Sequence, residues 1–214
     1  MINTKKTKTM IFNFTKNFQF STRLNIQNEN IEVIKSTKLL GTILSDDLKW
    51  DSNTAALVKK ANARMKLLRK VQDFDAPVED LKEIYILFIR SILEQSAPVW
   101  NSSITADNSN DLERIQKSAV QIILKDNFQG YKRGLAQLGI EILEERRREL
   151  CLNFANKCVK NTKLEHMFPR NEKSHMMGTR KEEAFQVQHS TTERLKQSPI
   201  IYMQNLLNRQ EKDI

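Results

Sequence analysis

The chain has 214 residues, enough for one ordinary domain or two small ones, and its 35 Lys and Arg against 26 Asp and Glu give a net charge of +9. This surplus favours an anionic partner, most often nucleic acid, and a soluble basic protein with solvated charge is the alternative. The low content of 5 Gly and 4 Pro argues against a long turn-rich β-protein, and no apolar stretch is long enough to cross a bilayer.

The two cysteines are typical of a protein in a reducing compartment. Cys151 and Cys158 are seven residues apart in a helical pattern, which predicts two free thiols buried on one helix face rather than a disulfide framework. The N-terminal sequence MINTKKTKTMIF has too short an apolar run for a signal peptide. We therefore expect an intracellular protein, nuclear or cytoplasmic, that is neither secreted nor bound to a membrane.

The first 50 residues have the pattern of short strands. Residues 9–14 are rich in β-favouring side chains, and apolar residues alternate with polar ones over 18–26. Asn-containing turns separate these stretches from two further short strands over 31–33 and 39–44. The sequence predicts a short antiparallel β-region over residues 1–50.

From residue 51 onward the apolar period is helical. It predicts a helical region over 51–165 and, over 166–214, a mobile segment that ends in a helix; the fold class is therefore α+β. The helix opened by Pro77 is apolar nearly all round and should lie in the middle of a bundle, ending at Pro98 and Trp100. Residues 173–190 are polar without a period and predict a loop or disorder. The other helices are predicted over 53–72, 112–122, 141–160 and 198–209.

The stretch GTILSDDLKW at 41–50 resembles the paired aspartates that hold metal ions in template-copying polymerases. Such a site needs a partner aspartate on an earlier strand, and residues 1–45 contain no Asp. A helical pattern follows Trp50 where a returning strand is required. Asp46 and Asp47 are better interpreted as turn residues before a helix. The histidines match no metal signature, so we predict no catalytic residue, metal site or cofactor in this chain.

A basic stripe is predicted on the first helix. At 100° per residue, Lys59, Lys66, Arg69 and Lys70 fall within one arc about 100° wide, opposite the apolar positions. Such a stripe suits contact with a phosphate backbone, and a merely solvated helix face is the alternative. Arg146, Arg147 and Arg148 cannot all point one way, so a structural role is favoured, with Glu144 paired to Arg148.

Several short motifs, in order, resemble the reverse transcriptases of non-LTR (LINE-type, jockey-like) retrotransposons. Residues 3–12 resemble the N-x-x-K-T-x-x-M-x-F stretch that follows the catalytic hairpin of that family. Residues 38–50 resemble its K-x-L-G primer-grip strand and the L-x-W before the thumb, and residues 59–69 its first thumb helix. The later motifs resemble the region after the thumb and lie at 88–94, 99–100, 112–117, 143–147 and 198–208.

The resemblance implies the end of the palm, the thumb and the C-terminal extension, downstream of the catalytic F-A-D-D hairpin. Lys6 then matches a lysine near the incoming nucleotide, and Leu39, Leu40 and Gly41 match the primer grip. The implied partners are RNA or DNA as primer–template, together with the palm and fingers of the parent polymerase. Mg²⁺ is expected only for the complete polymerase, and the chain alone should not be an enzyme. Two other hypotheses stay open: a basic helical scaffold that binds proteins, and the translated relic of a degraded element.

Overall fold

The computed structural model describes residues 3–15, 24–171 and 184–212. The chain divides into two compact units, Met1–Ala56 and Leu57–Ile214. The first contains short strands and the second is helical, which confirms the predicted α+β class. In the described residues, no helix is both long enough and apolar enough to span a membrane.

The first unit contains six short strands that pair two by two. β2 with β3 and β5 with β6 are antiparallel, as predicted. The prediction of an all-antiparallel region is wrong for β1, which pairs parallel to β4 with Lys8 opposite Glu32. The connection from β1 to β4 contains the β2–β3 hairpin and is long enough to return the chain in the same direction. Part of the predicted strand 18–26 lies outside the described residues. The strands are β1 (Lys8–Thr9), β2 (Asn25–Ile26), β3 (Glu29–Asn30), β4 (Glu32–Val33), β5 (Ser36–Leu39) and β6 (Thr42–Ser45).

Both hairpins turn through two residues with positive φ. Gln27 and Asn28 have φ of 55° and 62°, and Leu40 and Gly41 have φ of 48° and 89°. Such turns match the right-handed twist of the strands that they join. Asn and Gly tolerate this backbone well, whereas Leu40 adopts it without that advantage. The β5–β6 hairpin thus ends in a two-residue turn with positive φ, and Leu40 is exposed at its tip.

The aspartate pair follows β6 and forms a turn, as predicted. The Asp47 side chain accepts the main-chain N–H of Lys49 at 3.0 Å, and the N–H of Leu48 donates to the carbonyl of Ser45 at 2.9 Å. The N–H of Asp46 donates to the carbonyl of Lys35 at 2.8 Å, which extends the β5–β6 pairing by one bond. The turn leads into the first helix at Asp51.

The helices of the described chain follow the predicted periodicity closely. The first one, α1, begins in the first unit and continues into the second. A π-helical stretch at Tyr85–Arg90 joins α2 to α3, so that 78–93 is one continuous helix. Thr105 caps α5, since its hydroxyl accepts the N–H of Asn108 at 3.1 Å. The helices are α1 (Asp51–Asp73), α2 (Val78–Ile84), α3 (Ser91–Leu93), α4 (Ala97–Trp100), α5 (Ala106–Leu124), α6 (Tyr131–Leu138), α7 (Leu143–Val159), α8 (Glu193–Lys196) and α9 (Pro199–Lys212).

Two details of the predicted second helix are wrong. It was expected to be buried all round, but Leu87 and Phe88 in the π-helical stretch are 56% and 48% exposed. It was also expected to end at Pro98 and Trp100, whereas α3 ends at Leu93 and these residues belong to α4. Ser96, in the left-handed region with φ of 55°, turns the chain between the two helices. The apolar side chains at 87 and 88 therefore form an outer face.

The end of the second unit has its own apolar cluster. It joins one face of α7 to α9, and both cysteines lie in it as free, buried thiols, as predicted. Phe168 and Phe185, from the chain between these helices, complete the cluster. The buried members are Cys151, Ala155, Cys158, Phe168, Phe185, Met203, Leu206 and Leu207.

The region predicted as loop or disorder is anchored where the structure describes it. Residues 172–183 lie outside the described residues. Over 184–190 the chain forms no helix, as expected for a loop, yet Phe185 is buried. Asn208 on α9 accepts the N–H of Phe185 at 2.8 Å and donates to its carbonyl at 2.9 Å. The Arg170 guanidinium lies 4.8 Å from the centre of the Phe185 ring. These contacts hold this end of the loop against α9.

Candidate nucleic-acid interface

One face of α1 is exposed and basic. Lys59, Lys66, Arg69 and Lys70, which form the basic stripe, are all exposed. On the opposite face of the helix, four apolar side chains are buried: Leu57, Ala61, Met65 and Leu68. The helix therefore uses its apolar face for packing and leaves the stripe to the solvent.

The charge of the stripe is not balanced within its own helix. Between Asp51 and Asp73 the sequence contains no acidic residue but six Lys and Arg: the four of the stripe, and Lys60 and Arg64, which lie outside its arc. All six are exposed, and none forms an ion pair with a carboxylate of the described chain. Their charges are thus available to an external anion.

The length of the stripe suits a polymeric anion. Lys59 and Lys70 are eleven residues apart, which corresponds to about 16 Å along the helix axis. A nucleic-acid strand rises about 3.4 Å per nucleotide, so the stripe extends over roughly five phosphates. A row of cations on one helix face suits contacts with phosphates, which do not depend on the base sequence.

The other predicted contact residues lie in the first unit. Lys6 is exposed on a turn in which Asn3 accepts its N–H through both the carbonyl and the side chain. Leu39 and Leu40 are 60% and 92% exposed at the tip of the β5–β6 hairpin, next to Gly41. The structure thus brings Leu39, Leu40 and Gly41 together on one exposed turn and places Lys6 on another.

The three consecutive arginines have three different environments. Arg148 pairs with Glu145 at 2.8 Å, so the predicted pairing with Glu144 is wrong: the acid one turn back lies three residues away, not four. Arg146 bridges Glu94 at 3.3 Å and Glu149 at 2.5 Å. Arg147 is fully buried. These contacts fit the structural role that the sequence favoured for the triplet.

The burial of Arg147 is a feature that sequence reasoning missed. Its Nε donates to Asn101 Oδ1 at 2.9 Å and its Nη2 to Ser109 Oγ at 2.8 Å. The guanidinium lies 5.9 Å from the centre of the buried Trp100 ring. An arginine between two others carries no signal of burial, because the pattern around it is that of a solvated helix face.

The carboxylates, histidines and cysteines of the described chain are spread apart. Across residues 3–15, 24–171 and 184–212, no three of these side chains are grouped closely enough to hold a metal ion. His166 and His189 are exposed. No family model, curated protein or solved structure matches the chain.

Proposed function

We propose that this protein binds the phosphate backbone of nucleic acid through the basic stripe of α1. The observation that carries the proposal is the set of exposed cations on this helix, with no acidic residue between Asp51 and Asp73. Lys and Arg side chains that replace condensed counterions supply most of the affinity in such binding, whatever the sequence of the nucleic acid.

Within that function, we propose the role of a primer–template-holding, thumb-like part of a non-LTR retrotransposon reverse transcriptase. Two features support it: the motif that resembles the thumb helix falls on α1, and the one that resembles the primer grip falls on the exposed hairpin tip at Leu39–Gly41. Lys6 would then lie near the incoming nucleotide of the complete polymerase. RNA or DNA as primer–template is the proposed partner. The palm and fingers of such a polymerase, with their Mg²⁺, would supply the nucleotidyl transfer.

A second candidate function is a helical scaffold that binds proteins. The exposed Leu87 and Phe88 favour it, since adjacent apolar side chains at a surface often mark an interaction site. The two functions differ in their affinity for nucleic acid. Binding weaker than about 10⁻⁴ M at physiological salt would favour the scaffold.

Fluorescence anisotropy with labelled single-stranded RNA, duplex DNA and an RNA–DNA hybrid tests the proposal. The protein should bind at least one of them with a dissociation constant of about 10⁻⁴ to 10⁻⁶ M at physiological salt. Replacing Lys59, Lys66, Arg69 and Lys70 by Glu should abolish that binding while the helical circular-dichroism spectrum is kept. Unchanged binding by the reversed variant would contradict the role of the stripe.

The holding role has a separate test in a primer-extension assay. With Mg²⁺ or Mn²⁺, labelled primer–template and all four nucleotides, the chain alone should leave the primer at its original length. It should nevertheless shift the same primer–template in a binding assay. Primer extension by the chain alone would contradict a role limited to holding.

A further inference from the structure

A cavity of about 230 Å³ lies in the second unit, beside the buried Arg147. Its wall is formed by the 3-10 turn at Asn101–Ser103, the N-terminus of α5, the first turn and a half of α7, and Tyr202 of α9. All these elements belong to the same compact unit.

Arg147 is one of the residues of this wall, and its guanidinium is not fully hydrogen-bonded. Nε and Nη2 donate to the neutral oxygens of Asn101 and Ser109, whereas Nη1 is buried without a hydrogen-bond partner in the described structure. Arg147 also forms no ion pair with any described carboxylate. Burial lowers its pKa, although the negative charges of Glu113 and Glu144 act in the opposite direction.

A buried cation without a paired anion is costly. Desolvation of one ion costs several kcal/mol, and neutral acceptors together with the Trp100 ring offset only part of that. An anion in the cavity would complete the hydrogen bonding of the guanidinium and balance its charge. A bidentate match to an oxyanion is the geometry that arginine supports best.

Two more donors line the same cavity. The Ser102 hydroxyl is buried and has no hydrogen-bond partner within the described chain. The N-terminus of the 19-residue helix α5 contributes Thr105 and Ala106 to the wall. The first N–H groups of a helix have no partner inside it, and its dipole favours negative charge there.

The acidic residues of the wall are arranged differently. Glu144 and Glu145 line the cavity but are exposed, and Glu145 is already paired with Arg148 at 2.8 Å. The unpartnered donors, Arg147 Nη1 and Ser102 Oγ, are buried. The exposed part of the wall therefore carries two carboxylates and the Arg148 guanidinium, whereas its buried part carries the cation of Arg147.

We propose that this cavity is an oxyanion site that takes a phosphate group, with Arg147 Nη1, Ser102 Oγ and the main-chain N–H of Ala106, the first residue of α5, as donors. Because the two side-chain donors are buried, entry of the anion needs a small outward displacement of the lining side chains. The shared chemistry is a phosphate group, either free in solution or at the end of an oligonucleotide. The site stands on its own geometry and does not depend on the basic stripe of α1.

Inorganic phosphate is the probe for the first experiment, in a titration followed by ³¹P NMR at constant ionic strength. The wild-type chain should show saturable binding, and its melting temperature should rise with phosphate but not with equivalent chloride. Ser102→Ala should weaken binding roughly tenfold, since it removes one hydrogen bond to a charged group. Ser118→Ala, at an exposed position of α5 outside the cavity wall, should leave binding unchanged.

Arg147→Met should abolish saturable binding while the chain stays folded, because an apolar side chain of similar volume often replaces a buried ion without loss of stability. If this variant does not fold, the loss of phosphate affinity in Ser102→Ala tests the proposal by itself. Charge reversal of the stripe should leave phosphate binding intact, which separates this site from the proposed function. No saturable binding of phosphate, or binding that survives both cavity substitutions, would overturn the proposal.

The two sources of the phosphate are distinguished with short single-stranded oligonucleotides. A 5′-phosphorylated strand should compete with inorganic phosphate, and its 5′-hydroxyl counterpart should not, if the site takes strand ends. Competition by nucleoside monophosphates and inorganic phosphate, without an effect of the phosphorylated strand, would assign the site to free phosphate.

Discussion

The Glu113 carboxylate on α5 accepts the main-chain N–H of Leu143, the first residue of α7, at 3.1 Å to Oε2 and 3.2 Å to Oε1. The hydroxyl of Tyr131, the first residue of α6, donates to the same carboxylate. The residue before α7 is Ile142, whose apolar side chain has no atom that could accept a hydrogen bond and cap the helix. One carboxylate therefore ties three helices together and places a negative charge at the N-terminus of one of them.

Replacing Glu113 by Ala should destabilise the protein by about 2 kcal/mol, because a helix cap and a charge-assisted hydrogen bond are lost together. Urea unfolding measures this change. Asp111→Asn, two residues earlier on α5, breaks the 2.6 Å pairing with Arg114, which is largely exposed, and should change stability by less than about 0.5 kcal/mol. Equal losses of unfolding free energy in the two variants would show that the Glu113 carboxylate does not hold the three helices together.

Gly134 lies inside α6 where the backbone comes very close to α5. A Cβ at this position would lie 2.6 Å from Val120 Cγ1 and 3.0 Å from Leu124 Cδ1. Alanine would gain up to about 1 kcal/mol in helix propensity, but overpacking against a stiff β-branched side chain costs about 1–3 kcal/mol. We expect Gly134→Ala to be destabilising by about 1 kcal/mol in thermal or urea unfolding.

A double-mutant cycle isolates the cause. Val120→Ala removes the atom that the new methyl group would meet, so the pair should be more stable than the sum of the two single changes predicts, by about 1 kcal/mol. Additive effects would show that the close approach of α5 and α6 does not limit residue 134.

Stability should fall in alkaline solution. Burial raises the pKa of Cys151 to about 11 from the ordinary value of 9.0, and it also raises the pKa values of Tyr85, Tyr131 and Tyr202. These groups hold their protons in the folded chain at pH values where the unfolded chain has released them. The unfolded state is therefore favoured increasingly as the pH rises from about 9 towards 11.

Urea unfolding at pH 8, 9.5 and 10.5 measures this dependence. Cys151→Ala should lower the stability at pH 8 through lost packing, but it should also make the decline between pH 9.5 and 10.5 shallower. A wild-type stability that does not change over this range, or an identical decline in the variant, would contradict the assignment to buried thiol and phenol groups.

The sequence predicted the helices well because their apolar residues recur with a 3.6-residue period over three or more turns. It predicted the exposed stripe for the same reason: cations and apolar residues on α1 alternate at helical spacing. The exposure of Leu87 and Phe88 was missed, since a helix that is apolar all round gives no indication of which face is covered. The π-helical stretch also shifts the phase of the face at that point.

The short strands were harder to predict. Two-residue strands such as β1 and β4 carry no alternation, so neither their partners nor their parallel direction can be read from the residues. The cavity beside Arg147 depends on contacts between residues 38 and 46 positions apart. A local pattern contains no information on such contacts, which arise only when α4, α5 and α7 pack.

The salt dependence of duplex binding shows whether the stripe on α1 contacts the phosphate backbone. In the variant with Lys59, Lys66, Arg69 and Lys70 replaced by Gln, four phosphate contacts are removed. The slope of log K against log salt should become shallower by about 3 to 4, at roughly 0.9 per contact. A matched control replaces four other exposed lysines by Gln, with the same change in net charge. Three of them lie in α5, α6 and α7, and the fourth directly follows α7. These are Lys117, Lys132, Lys157 and Lys160.

The stripe variant should lose most of the slope, and the control variant should keep nearly all of it. Equal slopes in the two variants would show that binding follows net charge alone, and would contradict a defined interface on α1.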